Sequence, residues 1–177
     1  IPINEFHSPK RLINYFNKNN YTFKINKDFR NVIRSCQNVN RKEGNTWINN
    51  IILNTYIELH YLGNCHSVEC YENDKLIGGL YGLHLGSCFF GESMFSIKSN
   101  SSKFCLMYLI AILKKNKFLL LDSQFYNPHL KQFNAHEISD ENYMVKLKDG
   151  LNKKSDFEDI KEKYEVLDYL QSSSHKS

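Results

Sequence analysis

Residues 66–96, HSVECYENDKLIGGLYGLHLGSCFFGESMFS, decide the fold. The stretch divides into strand-length runs at about 65–72, 75–85 and 87–93, each rich in aliphatic and aromatic residues. Asn73-Asp74 and Gly86-Ser87 are compact turn pairs, so the three runs form an antiparallel meander. Downstream, Ser101 or Ser102 is expected to cap a helix reaching about residue 116, with Cys105, Leu106, Leu109 and Leu113 on one face. FLLL at 118–121 is a short apolar run without alternation, the pattern of a buried strand rejoining the sheet. It ends in LDSQ (121–124).

Upstream, 21–25 alternates like a strand after a short helix near 10–17. Asp28 is placed to cap a helix whose Phe29, Val32, Ile33 and Cys36 follow helical spacing. After a polar, flexible stretch at 38–45, a second helix is expected over 49–62, ended by Gly63-Asn64. Residues 127–133 read as helical, with Asn134 suited to a left-handed helix end. The tail 146–177 is highly charged, with a helix expected over 156–170 and disorder from 171. Strands, a capped helix and a returning strand predict an α+β (α/β) protein of the N-acetyltransferase-like (GNAT) fold. Its sheet would be mixed, mostly antiparallel and flanked by helices.

The chain has 177 residues, enough for one domain with a real core. Its net charge of +4 permits a polyanionic partner without requiring one. Five cysteines without a CxxC pair predict reduced, buried thiols and a cytoplasmic-type compartment. No apolar run is long enough to span a membrane. The histidines, among them His66, His84, His129 and His136, lack metal-ligand spacing, so no metal is expected. Lys98, Lys103, Lys114, Lys115 and Lys117 flank the long helix and suit either phosphates or a solvated face.

Few residues could carry chemistry. Asp122 and Gln124 stand at i and i+2 at a strand end, so they are expected to face the same way. Glu92 sits beside Phe89, Phe90 and Phe95, where a partly buried carboxylate must find donors. Trp47, the single tryptophan, follows a polar loop and precedes a helix, a place for a half-exposed aromatic. The segment 96–102 between strand and helix contains no glycine, which disfavours a coenzyme A pyrophosphate loop.

FFGESMFS (89–96), LDSQ (121–124), TWI (46–48), Tyr56 with Leu59-His60, and NPHLKQFNAHEI (127–138) keep order and spacing over roughly residues 8–145. In these words the chain resembles the leucyl/phenylalanyl-tRNA–protein transferases. The resemblance implies the GNAT fold and transfer of an amino acid, Leu or Phe, from aminoacyl-tRNA to the N-terminal α-amine of a protein. The acceptor would begin with Arg or Lys and be marked for degradation in the N-degron pathway. The resemblance gives Gln124 a place near the attacking amine and Asp122 that of orienting or polarising it. Glu92 would hold the donor's α-ammonium, with Ser93 assisting. Leu80, Leu106, Leu109, Leu113 and Leu121 would line the donor pocket. Trp47 would stack on the tRNA's terminal adenosine, and Tyr56 would line the same site.

Three segments are expected: an irregular lead-in at 1–20, read as the remnant of an N-terminal lobe; a catalytic domain at 21–145; and a charged, partly disordered extension at 146–177. The chain would act as a monomer, with the aminoacyl-tRNA 3′ end and the acceptor's N-terminal peptide as partners and no cofactor. An arginyl-tRNA donor or an Asp/Glu acceptor is the same chemistry with other specificity. A non-catalytic RNA- or peptide-binding relative and an acyl-CoA N-acyltransferase are the readings from other classes.

Overall fold

The computed structural model describes residues 1–39, 46–125 and 128–172. Its elements are α1 (Lys10–Lys18), β1 (Thr22–Ile25), α2 (Phe29–Gln37), α3 (Asn50–Tyr61), β2 (Cys65–Glu72), β3 (Lys75–Leu85), β4 (Cys88–Ser96), α4 (Ser101–Lys115), β5 (Leu120–Asp122), a 3-10 helix (Pro128–Phe133), α5 (Asp140–Leu151) and α6 (Lys163–Gln171). Most of the flexible stretch expected at 38–45, Asn127 of the expected helix, and residues 173–177 of the tail lie outside the described residues.

The five strands lie side by side in the order β1-β2-β3-β4-β5. The first three pairings are antiparallel, and β5 joins β4 in parallel after α4 has crossed over. The protein is therefore a mixed α+β structure. The β2–β3 turn is tight because Asn73 and Asp74 both take left-handed φ, the conformation that matches strand twist.

Adjacent β3 residues serve opposite faces of the sheet. Leu80 joins a core with α1, α4 and α6, whereas Tyr81 joins a second core with α2 and α3. Helix α4 differs from its expected one-faced pattern: Phe104 to Leu113 are all buried. The sheet takes one side of it, and the N-terminal segment, α1 and α6 cover the rest. Its cap also differs. Asn100, in left-handed conformation, is the N-cap residue and makes no side-chain cap bond. Ser101 instead bonds the carbonyls of Ile77 and Lys98, tying the helix start to β3.

Two helices at the C-terminal end depart from expectation. Helix α5 runs across the 145/146 boundary, and the last helix begins at Lys163 rather than 156. Phe157, ahead of α6, stacks on His66 at 4.3 Å between ring centres. Asp28 does cap α2, accepting from the Asn31 amide. The Asp28 amide in turn donates to Glu69, a fully buried carboxylate that also receives the Ser67 and Tyr71 hydroxyls.

His66 and His84 form a relay whose proton placement follows from its ends. The Gly86 carbonyl only accepts, so His84 Nε2 donates to it at 2.9 Å. Neutral His84 then accepts at Nδ1 from His66 Nε2, 3.2 Å away, and His66 Nδ1 accepts from Asn26. Burial, reinforced by His84, pulls the His66 pKa down to about 4. The native state thus binds fewer protons than the unfolded chain between about pH 4 and 6.5, and stability falls as pH drops through that window. The loss attributable to His66 should approach roughly 3 kcal/mol. Its ring NMR signal is expected to stay flat from pH 7 to 5; titration near 6.5 would refute the buried relay.

Candidate functional site

The site forms where β5 ends beside β4. Asp122 is the last residue of β5, and the chain then turns instead of continuing extended. Asp122 Oδ1 accepts from the Gln124 amide at 2.7 Å, and Gln124 has a left-handed φ of 61°. The expected i, i+2 strand geometry is therefore replaced by a side-chain-closed turn, a habit of Asp. That turn brings Gln124 Nε2 within 3.2 Å of Glu92 Oε2, to which it donates.

Glu92 owes its position to a β-bulge. Tyr81 pairs with Ser93 and Gly82 with Gly91, so Glu92 is the extra residue of β4 without an opposite number. Such a bulge re-aims a side chain. The Tyr56 hydroxyl of α3 also bonds Glu92, and burial together with this carboxylate drives the Tyr56 pKa up. Burial, with Glu92 nearby, likewise pushes the Cys65 thiol up to about 12. Among the described residues the buried Tyr81 hydroxyl has no hydrogen-bond partner, and it lies in the field of Tyr56 and Glu92.

Two clefts meet along the 121–125 segment. One, of about 380 Å³, is lined by Leu80, Leu106, Leu109 and Leu121 together with Glu92 and Ser93. Leu113 is outside it, fully buried in the core. The other, of about 600 Å³, is lined by Asp122, Gln124 and Tyr143 and by Glu5, Glu137, Asp140 and Lys146. Exposed Phe125 borders both. Trp47 lines neither; it is 42% exposed just before α3, the helix that carries Tyr56. Among the described residues no three His, Cys, Asp or Glu side chains gather as metal ligands, and no helix is long and apolar enough to cross a membrane.

Sequence reasoning missed Tyr143, whose hydroxyl donates to Asp122 Oδ2 at 2.8 Å. The signal was present in Ser139-Asp140-Glu141, a cap followed by an acidic first turn. His129, Leu130 and Phe133 from the 3-10 helix also line the smaller cleft without having been singled out for it.

The leucine positions separate by experiment. Leu113→Ala should cost about 2–5 kcal/mol of stability with no change in ligand choice. Leu106→Ala, at the cleft wall, should shift preference toward larger apolar side chains. Urea melts and competition between apolar ligands of different size check both.

An apolar cleft walled by an α+β sheet, with a linked carboxylate, amide and phenol at its edge, is the candidate site of a transferase. The sequence profile described as "Leucyl/phenylalanyl-tRNA protein transferase" matches residues 1–148, and the chain belongs to that family of aminoacyltransferases. It is 44% identical over 157 residues to the leucyl/phenylalanyl-tRNA–protein transferase of Hyphomonas neptunium, covering 89% of this chain and 61% of that protein. Against the same-named protein of Chlorobaculum tepidum it is 42% identical, covering 89% of this chain and 81% of the relative. Against that of Desulfotalea psychrophila it is 48% identical over 143 residues, 80% of this chain and 63% of the relative.

Proposed function

We propose that this chain transfers leucine or phenylalanine from aminoacyl-tRNA to the N-terminal α-amine of proteins beginning with Arg or Lys, marking them for degradation. The observation that carries the reading is the Tyr56–Glu92–Gln124 linkage beside the apolar cleft. The donor's side chain enters that cleft and its α-ammonium meets Glu92, with Ser93 at the same wall. The acceptor enters the larger cleft, where Glu5, Glu137 and Asp140 suit a basic side chain better than an acidic one despite Lys146. Trp47 is exposed enough to stack on the terminal adenosine, a contact worth about 1–3 kcal/mol per base.

The chemistry asks little of the protein. The donor is already an activated ester, and a peptide α-amine with pKa about 7.7–8.0 is partly neutral near pH 7. The amine nitrogen bonds to the ester carbonyl carbon, the bond from that carbon to the ribose oxygen breaks, and the proton lost by nitrogen reaches that oxygen. Gln124, its amide nitrogen held by Glu92, presents its carbonyl oxygen to the attacking amine, and Asp122 fixes the turn. Holding amine and ester together supplies several kcal/mol, about 7–11 for a well-aligned pair. No cofactor enters this scheme. The sheet with its parallel β5 supports the GNAT assignment, and five buried cysteines outside any disulfide support a reducing, cytoplasmic setting.

An acyl-CoA reading is weakened by the start of α4. The amides of Ser101, Ser102 and Phe104 bond Lys98 O, Ser96 Oγ and Asn100 O, leaving them unavailable to a pyrophosphate. Radiolabelled Leu, Phe and Arg on tRNA, offered with proteins beginning with Arg, Lys, Asp or Glu, test the proposal. Transfer of Leu or Phe to Arg or Lys supports it. Arginine transfer to Asp or Glu would replace its specificity, and no transfer by folded protein would make the chain a binding relative.

A further inference from the structure

We propose that Tyr143 is a positioning residue for the transfer reaction: its hydroxyl clamps the second oxygen of Asp122 and so holds the turn that aims Gln124. The inference rests on the transferase reading above.

A carboxylate held through one oxygen can rotate, exchange its two oxygens and release its partner. Asp122 is held through both: Oδ1 takes the Gln124 amide at 2.7 Å and Oδ2 takes the Tyr143 hydroxyl at 2.8 Å. The two bonds fix the carboxylate plane and with it the left-handed backbone of Gln124. Such a conformation is uncommon for a non-glycine residue and persists only with local support. Burial and the Asp122 contact push the Tyr143 pKa up to about 12, so it stays a donor at any working pH.

The mounting of Tyr143 fits this task. Helix α5 is largely exposed, Val145 strongly so, and it docks on β4 and β5. Near its C-terminus the Gly150 carbonyl accepts from the Ser87 amide at 2.7 Å, and a Cβ at Gly150 would come within 2.3 Å of Cys88 Sγ. At its N-terminal turn, capped by Ser139, the contact is Tyr143 to Asp122. A helix that covers little core is thus anchored by a close backbone approach at one end and delivers a phenol to the reacting segment at the other.

Steady-state transfer assays on the full chain test this with Tyr143→Phe, Asp122→Asn and the double variant. Tyr143→Phe should lower kcat by roughly tenfold, the size expected of a hydrogen bond to a charged group. KM for tRNA and for acceptor should stay within about twofold. The double variant should be no slower than Asp122→Asn, because Tyr143 acts only through Asp122. Tyr143→Leu, also without a hydroxyl, should give the same kcat loss, so a folding defect in one variant does not decide the result. A kcat within twofold of wild type, losses that multiply in the double variant, or a rise confined to acceptor KM would each overturn the inference while leaving the transferase reading intact. Wild-type protein without transfer activity would overturn both.

Discussion

Asp122→Ala is expected to lower leucine transfer by about 10²-fold or more while the protein remains folded. The size is that of losing the aim of the proton-accepting Gln124 carbonyl, which Asp122 holds in place. Alanine removes the acceptor of the Gln124 amide and the partner of Tyr143 together. Gln124 then has no side-chain closure to hold its left-handed backbone, and its Nε2 no longer stays at Glu92. Stability should change little, because Asp122 is only partly buried and the freed amide can turn to water. Asp122→Asn separates two roles. Its Oδ1 can still accept from the Gln124 amide, so it should retain more activity than the alanine variant if geometry dominates. If it is as slow as alanine, the negative charge itself matters. Single-turnover transfer from charged tRNA, with thermal melts as control, measures both. Transfer within threefold of wild type in Asp122→Ala would remove Asp122 from the mechanism.

The sheet was legible because its signals are local. Two-residue turns punctuate the meander, and the bounds of β2 and β3 match those read from their apolar runs and turn chemistry. The capping of α2 by Asp28 is equally local. Helix α4 was legible as a helix but not as a fully buried one, since nothing nearby says that α1 and α6 will cover its outer face. Helix α5 escaped because DENYMVKLKDGL is charged and two-sided; only its cap betrays it. The site residues were legible as words, less so as geometry. Asp122 and Gln124 were expected to share a strand face, but the strand stops at Asp122 and a turn does the aiming. Glu92 was expected among aromatics, yet it reaches Gln124 through a bulge, and a single chain read in isolation cannot show which residue lacks a cross-strand partner.

That bulge gives the second large effect. Gly82 and Gly91 are paired across β3 and β4, beside the unpaired Glu92, yet alanine should be tolerated at only one of them. A Cβ on Gly91 would meet nothing nearer than Asp122 O at 3.6 Å, an ordinary contact. A Cβ on Gly82 would fall 2.3 Å from Phe90 O and 2.4 Å from Phe89 Cε1. Neither neighbour can yield. Phe90 O belongs to the paired strand, and the Phe89 ring is fully buried against Phe157. The strands must separate at the register shift, at a cost of about 3 kcal/mol. For a domain of this size that corresponds to roughly 6–12 °C in melting temperature. Transfer should fall as well in Gly82→Ala even below its melting point, because the bulge that points Glu92 at Gln124 is the part displaced. Gly91→Ala should melt within a few degrees of wild type. Equal melting temperatures for the two variants would mean that the bulge is softer than its packing implies, and that Glu92 is placed by Tyr56 and Gln124 rather than by the sheet.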